Sequence, residues 1–183
     1  MQYLNNFKRI YSLLYFFTLK ELKERYKQAY FGFAWMLLVP IVTMATFYFI
    51  FTKIFPIEVK NYPIYLLSGL APWFFFSNGV TQNTTALSGN ANLIRKTVFP
   101  KHLLILANLN SNFFSYIFSL ALISLYLIMS TGFQFRFFLY IPLSLCFFAY
   151  SFFFSAPLSY LYIKYRDIKP ISDLFIFLLF YAT

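Results

Sequence analysis

The chain is short of charge, and shortest of all in acid. Its 183 residues include 15 Lys or Arg but only 5 Asp or Glu. Charged residues make up 11% of it, less than half of the quarter usual in a soluble globular domain. So few charges cannot clothe a water-facing surface. Disorder is excluded as well, because 61% of the residues are hydrophobic and disordered chains are poor in apolar residues. A net charge of +10 would suit a nucleic-acid module, but the apolar content does not, so no nucleic-acid partner is expected. Cysteine occurs once, at Cys146 among apolar and aromatic neighbours, where it reads as a small buried or lipid-facing hydrophobe. With one histidine, His102, and no CxxC pair, metal-ligand spacing is missing. There is no Gly-rich phosphate loop, so no Walker-type ATP site and no bound cofactor are expected in this chain. The N-terminus also lacks the pattern of a signal peptide, a charged start, apolar region and small-residue cleavage site.

The scarcity of acid has chemical consequences. Glu21, Glu24, Glu58, Asp167 and Asp173 all lie outside the middle of the long apolar runs. Ionisable groups within a membrane mark proton relays and ion sites, so a proton-coupled transporter would lack its usual parts. Paired carboxylates for glycosyl chemistry would have to come from loops of a few residues. His102 has no neighbouring acid with which to form a catalytic dyad. A catalytic role is therefore not expected.

What the chain does have is length of apolar sequence. A bilayer core of about 30 Å needs roughly 20 apolar residues in a helix. Spans are expected at about 31–54, 62–83, 103–129 and 137–163, and a fifth apolar run, 171–183, covers only about 20 Å at 1.5 Å per residue. The fold class expected is thus an all-α membrane protein: an N-terminal interfacial helix over residues 1–30, then a transmembrane domain over 31–183 with four complete spans and a partial fifth. Basic residues set its orientation. Lys8, Arg9, Lys20, Lys23, Arg25, Lys27, Arg95, Lys96, Lys101, Lys164, Arg166 and Lys169 fall on one side, and only Lys53, Lys60 and Arg136 on the other. That asymmetry places the N-terminus and the richer loops in the cytoplasm.

Before the first span, Leu4, Phe7, Ile10, Tyr11, Leu14 and Phe17 recur at helical spacing, continued by Leu19, Leu22, Tyr26 and Tyr30. The other face carries Lys20, Glu21, Lys23, Glu24 and Lys27, with Glu21 and Arg25 placed for an i,i+4 ion pair. This describes a helix lying among lipid headgroups; it serves as a plain surface anchor or as a collar for a cytoplasmic partner. Three further features stand out. The junction Arg25, Tyr26, Lys27, Gln28 leads through Gly32 and Trp35 to Pro40, with Gly32 suited to close helix approach. A Gly/Pro break at Gly69 and Pro72 precedes the cluster Trp73, Phe74, Phe75, Phe76. A basic loop then runs from Asn90 to Lys101, with Leu93, Ile94, Val98 and Phe99 expected to be exposed beside Arg95 and Lys96. It suits docking against a protein or resting on headgroups.

In order, these segments resemble the permease subunit of bacterial polysaccharide ABC exporters, the ABC-2 type that moves O-antigen, capsule or teichoic-acid chains. The likeness rests on Leu19–Gln28, Gly32, Trp35, Leu38 and Pro40; on Ser68–Phe75; on Asn90, Leu93, Ile94, Lys96, Phe99 and Pro100; and on Tyr165, Arg166, Asp167 and Ile168. Phe31 stands where the family usually has Leu. The resemblance implies a non-catalytic, multi-pass subunit of the bacterial inner or cytoplasmic membrane. It pairs with a second copy of itself and with two ATP-binding subunits, which use the ATP, and a lipid-linked glycan passes between the permease copies. It also implies that Leu93, Ile94, Arg95, Lys96, Val98, Phe99, Pro100, Arg166 and Asp167 meet the ATP-binding subunit. Arg25, Tyr26, Lys27, Gln28, Gly32 and Trp35 would form a gate helix, and Trp73–Phe76 a path for sugar rings. The family's sequence continues past the point where this chain stops, so the expectation is a C-terminally truncated member. The alternatives are a non-transporting remnant and a membrane enzyme of surface-glycan assembly.

Overall fold

The computed structural model describes residues 2–27, 32–54, 62–97, 99–131 and 138–182. Among the described residues every regular element is helical: α1 (Gln2–Tyr26), α2 (Trp35–Phe49), α3 (Tyr62–Gly89), α4 (Ala91–Lys96), α5 (His102–Thr131), α6 (Tyr140–Lys164) and α7 (Ile168–Ala182). A 3-10 turn at Gly32–Ala34 leads into α2, and a π turn at Ile50–Ile54 ends it. Pro40, Pro72 and Pro157 sit inside α2, α3 and α6. Such positions are tolerated where neighbouring helices satisfy the carbonyls that proline leaves free.

Two helices differ from their expected extents, each for a local reason. The second apolar run was expected to stop at residue 83, yet α3 continues to Gly89 and is about 42 Å long. Its second half is rich in amides and hydroxyls; Thr81, Gln82 and Asn83 find partners on other helices, and Thr84, Thr85 and Ser88 bond carbonyls of α3 itself. The last helix was expected from 171, yet α7 begins at Ile168. Lys169 therefore lies in a helical turn rather than a loop, where its Nζ reaches both carboxylate oxygens of Asp173 at 2.8 and 2.9 Å. Only Tyr165, Arg166 and Asp167 remain between α6 and α7.

Helix α3 is the centre of the bundle and packs on α2, α5, α6 and α7. One apolar cluster joins Leu67, Ala71 and Phe75 of α3 to Leu109, Tyr116 and Ile123 of α5. A second sets Phe17 of α1 against Leu87, Leu103, Leu104, Ile105 and Ala107. The third gathers Phe76, Val80 and Ile176 between α3 and α7. Close approach of α3 to α5 is purchased by Gly79: a Cβ there would lie 2.8 Å from Leu109 Cδ2.

Helices α5 and α6 are the two, among the described residues, that are long and apolar enough to cross a membrane. Their burial is the reverse of a water-soluble core helix, since only 17% of each apolar stretch is covered by the rest of the chain. Helix α6 makes the point residue by residue. Ser151, Ser155 and Ser159 are fully buried, whereas Phe153 is 74% exposed. Small hydroxyl residues inside and large hydrocarbons outside is the arrangement that lipid selects, because small side chains allow close helix contact and apolar ones match the acyl chains.

Candidate functional site

Three successive residues of α3 point to three sides of the bundle and bind there. Thr81 Oγ1 donates to Asp173 Oδ1 of α7 at 3.2 Å. Gln82 Oε1 accepts from Arg25 Nη2 of α1 at 2.6 Å and from Asn112 Nδ2 of α5 at 3.1 Å. Asn83 Nδ2 donates to Ser155 Oγ of α6 at 2.9 Å. A helix turns about 100° per residue, so one polar turn ties α3 to four neighbours. The polar run after Val80, unfavourable as an isolated apolar span, is stabilised by these partners.

Arg25 completes the cluster. Its Nη1 donates to Asn112 Oδ1 at 3.1 Å while Nη2 reaches Gln82. The planar guanidinium thus bridges α3 and α5 from the end of α1, using its fixed fork of donors. Asn112 is itself held by the Oδ1 and backbone oxygen of Asn108 at 3.2 and 3.1 Å. The i,i+4 ion pair expected between Glu21 and Arg25 gives way to this arrangement, because two amide acceptors lie within reach of the guanidinium. The ion pair on the described part of α1 is instead Lys20–Glu24 at 3.6 Å. Glu21 is left half-buried, and burial pushes its carboxyl above the ordinary value; Lys20 and Arg25 oppose the shift and Glu24 adds to it.

Above Arg25 opens a cavity of about 530 Å³ between α2, α3 and α5. Its lining includes the aromatic and apolar side chains Trp35, Val39, Phe74, Phe75 and Tyr116. It also includes the neutral polar residues Asn78, Gln82, Asn112, Ser115 and Ser119, with Arg25 the one charged member among the described residues. Such a lining suits a molecule that is part apolar and part hydroxylated.

Several expected site residues fall elsewhere. Of the four successive aromatics, only Phe74 and Phe75 line the cavity. Trp73 turns to Phe180 of α7, with ring centres 5.5 Å apart, and Phe76 to Tyr150 and Phe154 of α6, each at 5.4 Å. Phe75 is largely consumed by packing on Tyr116, Phe113 and Phe148. Four consecutive helical residues cannot share a face, so Trp73–Phe76 do not line the cavity as a group. Gly32, expected to allow close helix approach, has no neighbour within 4 Å of a would-be Cβ among the described residues, and its φ of +48° is a left-handed conformation that glycine adopts without strain. Trp35 opens α2 at the cavity mouth. Tyr26 ends α1 and Lys27 is exposed beside it, while Gln28 lies outside the described residues.

The basic loop is also rearranged. Leu93, Ile94 and Phe99 are half-buried rather than exposed and pack on the Phe17–Leu103 cluster. The Phe99 ring lies 5.2 Å from that of Phe17. What faces outward is mostly polar or basic: Asn92, Arg95, Lys96, Thr97 and Lys101, with Pro100 among them. Val98 lies outside the described residues. Arg166 and Asp167 are exposed in the α6–α7 turn, with Arg166 resting 5.0 Å from the ring centre of Tyr162.

Asn78, Gln82, Asn112 and Ser115 were not singled out from the sequence. The clue available was amide spacing, since Asn78 and Gln82 on α3, and Asn108 and Asn112 on α5, are each four residues apart and so share a helix face.

No family model matches the chain. Over 103 residues it is 36% identical to a protein of Klebsiella pneumoniae named "O-antigen export system permease protein RfbA". A second protein of that name from the same organism is 35% identical, and one from Myxococcus xanthus is 32% identical, over the same length. The match takes in 56% of this chain and 40% of the length of each relative.

Proposed function

We propose that this chain belongs to the membrane-embedded permease subunit of an ABC system exporting O-antigen or a similar lipid-linked surface glycan. The observation that carries the reading is the 36% identity to permeases named for O-antigen export. The inside-out packing of α5 and α6 supports it. In this reading α2, α3, α5 and α6 cross the membrane, α7 begins a further crossing, and α1 lies at the cytoplasmic face where the basic residues gather. ATP is hydrolysed by a separate subunit, which docks on the outward basic residues Arg95, Lys96 and Lys101 and on Arg166 and Asp167 of the α6–α7 turn. A second copy of the chain forms the other half of the conduit.

The cavity between α2, α3 and α5 is where the amphiphile first meets the permease. Rigid aromatic faces at Trp35, Phe74 and Tyr116 cover the apolar C–H faces of sugar rings at little conformational cost. The amide and hydroxyl ladder exchanges hydrogen bonds with sugar hydroxyls in place of water. No covalent chemistry is required of this chain. Its task is to offer matched surfaces, while the partner's ATP cycle shifts the equilibrium between helix arrangements by binding one of them more tightly.

The test is genetic and biochemical together. Deletion of the gene abolishes the surface glycan, and the affinity-tagged product recovers an ATP-binding subunit from solubilised membranes. Recovery without any ATP-binding subunit, together with unchanged surface glycan after deletion, refutes the reading.

A further inference from the structure

Beyond its apolar contacts, α1 is fastened to the bundle at two polar points among the described residues. At one, Lys20 Nζ donates to Asn90 Oδ1 at 3.0 Å. At the other, Arg25 bridges Gln82 and Asn112 at the floor of the cavity. Lys20 and Arg25 lie five residues apart, about 140° around the helix, so the two grips act from different sides and oppose rolling of α1 either way. Asn90 is not an ordinary surface residue. Its Nδ2 donates to Ala86 O at 3.0 Å, closing the end of α3, and its carbonyl accepts from Ile94 N at 3.0 Å, opening α4. Through its side-chain amide and its backbone carbonyl, this one residue therefore joins α3, α4 and α1.

We infer that Lys20 and Asn90 are positioning residues forming a reversible latch, through which the place of α4 sets that of α1 and so the opening of the cavity at Arg25. The contact is a single hydrogen bond between a cation and a neutral amide at a part-exposed site, which can break and re-form without unfolding anything. Movement of α4 carries Asn90 with it because the first turn of α4 hangs on that residue. Loss of the Lys20 grip frees the last turns of α1, and the Arg25 guanidinium then leaves Gln82 and Asn112. The existence of the latch rests on the geometry alone; what its opening is for rests on the transport reading given above.

The test uses the full chain in membranes prepared without ATP-binding subunit or glycan, so that its outcome is independent of transport. Cys146→Ser removes the native thiol, and Ser115→Cys places a reporter in the cavity one turn beyond Asn112. A charged, water-soluble maleimide reads access from the α1 end. Lys20→Met and Asn90→Ala each raise the labelling rate about fivefold, equivalent to about 1 kcal/mol. The double change raises it no further, because both remove the same contact. Lys20→Arg keeps the wild-type rate. A second reporter, Ile123→Cys, buried between α3 and α5, stays protected in every variant. The inference is overturned by an unchanged rate in Lys20→Met, by single effects that multiply in the double variant, or by equal exposure of the Ile123 reporter. A positive result with normal glycan export in the latch variants would leave the latch standing and count against the transport reading.

Discussion

At the scale of single residues, Arg25 is the side chain on which most depends. Lysine at this position keeps the charge but not the planar fork, so it can satisfy Gln82 or Asn112 but not hold both in one geometry. Arg25→Lys is expected to lower surface-glycan export severalfold with membrane levels unchanged, as read by immunoblots of glycan and of the tagged chain. Glu21 gives a prediction in pH. Burial favours its protonated form, so the folded helix retains a proton that the unfolded chain releases. Stability is therefore lost as pH rises from the ordinary value of 4.5 through the raised one. Glu21→Gln removes that loss. Thermal unfolding in detergent should show the variant more stable than wild type at neutral pH and equal to it below 4.5. A constant difference at all pH values would exclude the burial effect as its cause.

Among the elements, α7 is docked on α3 by apolar contacts that include Ile176 with Val80 and Phe180 with Trp73, and, among the described residues, by a polar tie of Asp173 with Lys169 and Thr81. Asp173→Ala leaves Lys169 without its acid and Thr81 without its acceptor. Because Asp173 is partly exposed, the cost is small, about 1 kcal/mol. The cross-linking yield between cysteines introduced by Val80→Cys and Ile176→Cys should fall accordingly, and an unchanged yield would show that apolar packing alone places α7. The course of α5 and α6 was legible from hydropathy, since each is a long run without interior charge. The continuation of α3 past Val80 was not. Gln82, Asn83 Nδ2 and Thr81 find partners 57, 72 and 92 positions away in the chain, and no local pattern contains that information. The aromatic run was a different case. Trp73–Phe76 looked like a unit because the residues adjoin in sequence, although helical geometry alone spreads them around the axis. The loop after Asn90 misled for a third reason: Leu93 and Ile94 are apolar neighbours of basic residues, and only the docking of α1 decides which of them turn inward.

For the molecule as a whole, the expected arrangement is open to a direct check of sidedness. In a Cys146→Ser background, cysteines introduced by Lys101→Cys and Arg166→Cys should react with an impermeant reagent from the same side of the membrane, and one introduced by Lys53→Cys from the opposite side. All three positions are exposed. Reaction of Lys53→Cys from the same side as Lys101→Cys would require a different path for α3. The cavity itself was only half legible. Trp35 and Arg25 were marked by the junction they occupy, whereas its amides are brought together by the packing of α3 on α5.

The polar turn of α3 has a consequence for how the bundle can move. Thr81, Gln82 and Asn83 each face a partner of different chemistry: a carboxylate, a guanidinium with an amide, and a hydroxyl. A slip of α3 by one residue turns it about 100° and presents every one of these groups to the wrong neighbour, leaving amides buried without partners at a cost of about 1–3 kcal/mol each. Rotation of α3 by one position therefore disturbs its ties to α1, α5, α6 and α7 together. A sequence change that inserted or removed a single residue before this turn would break all of these contacts at once rather than one of them.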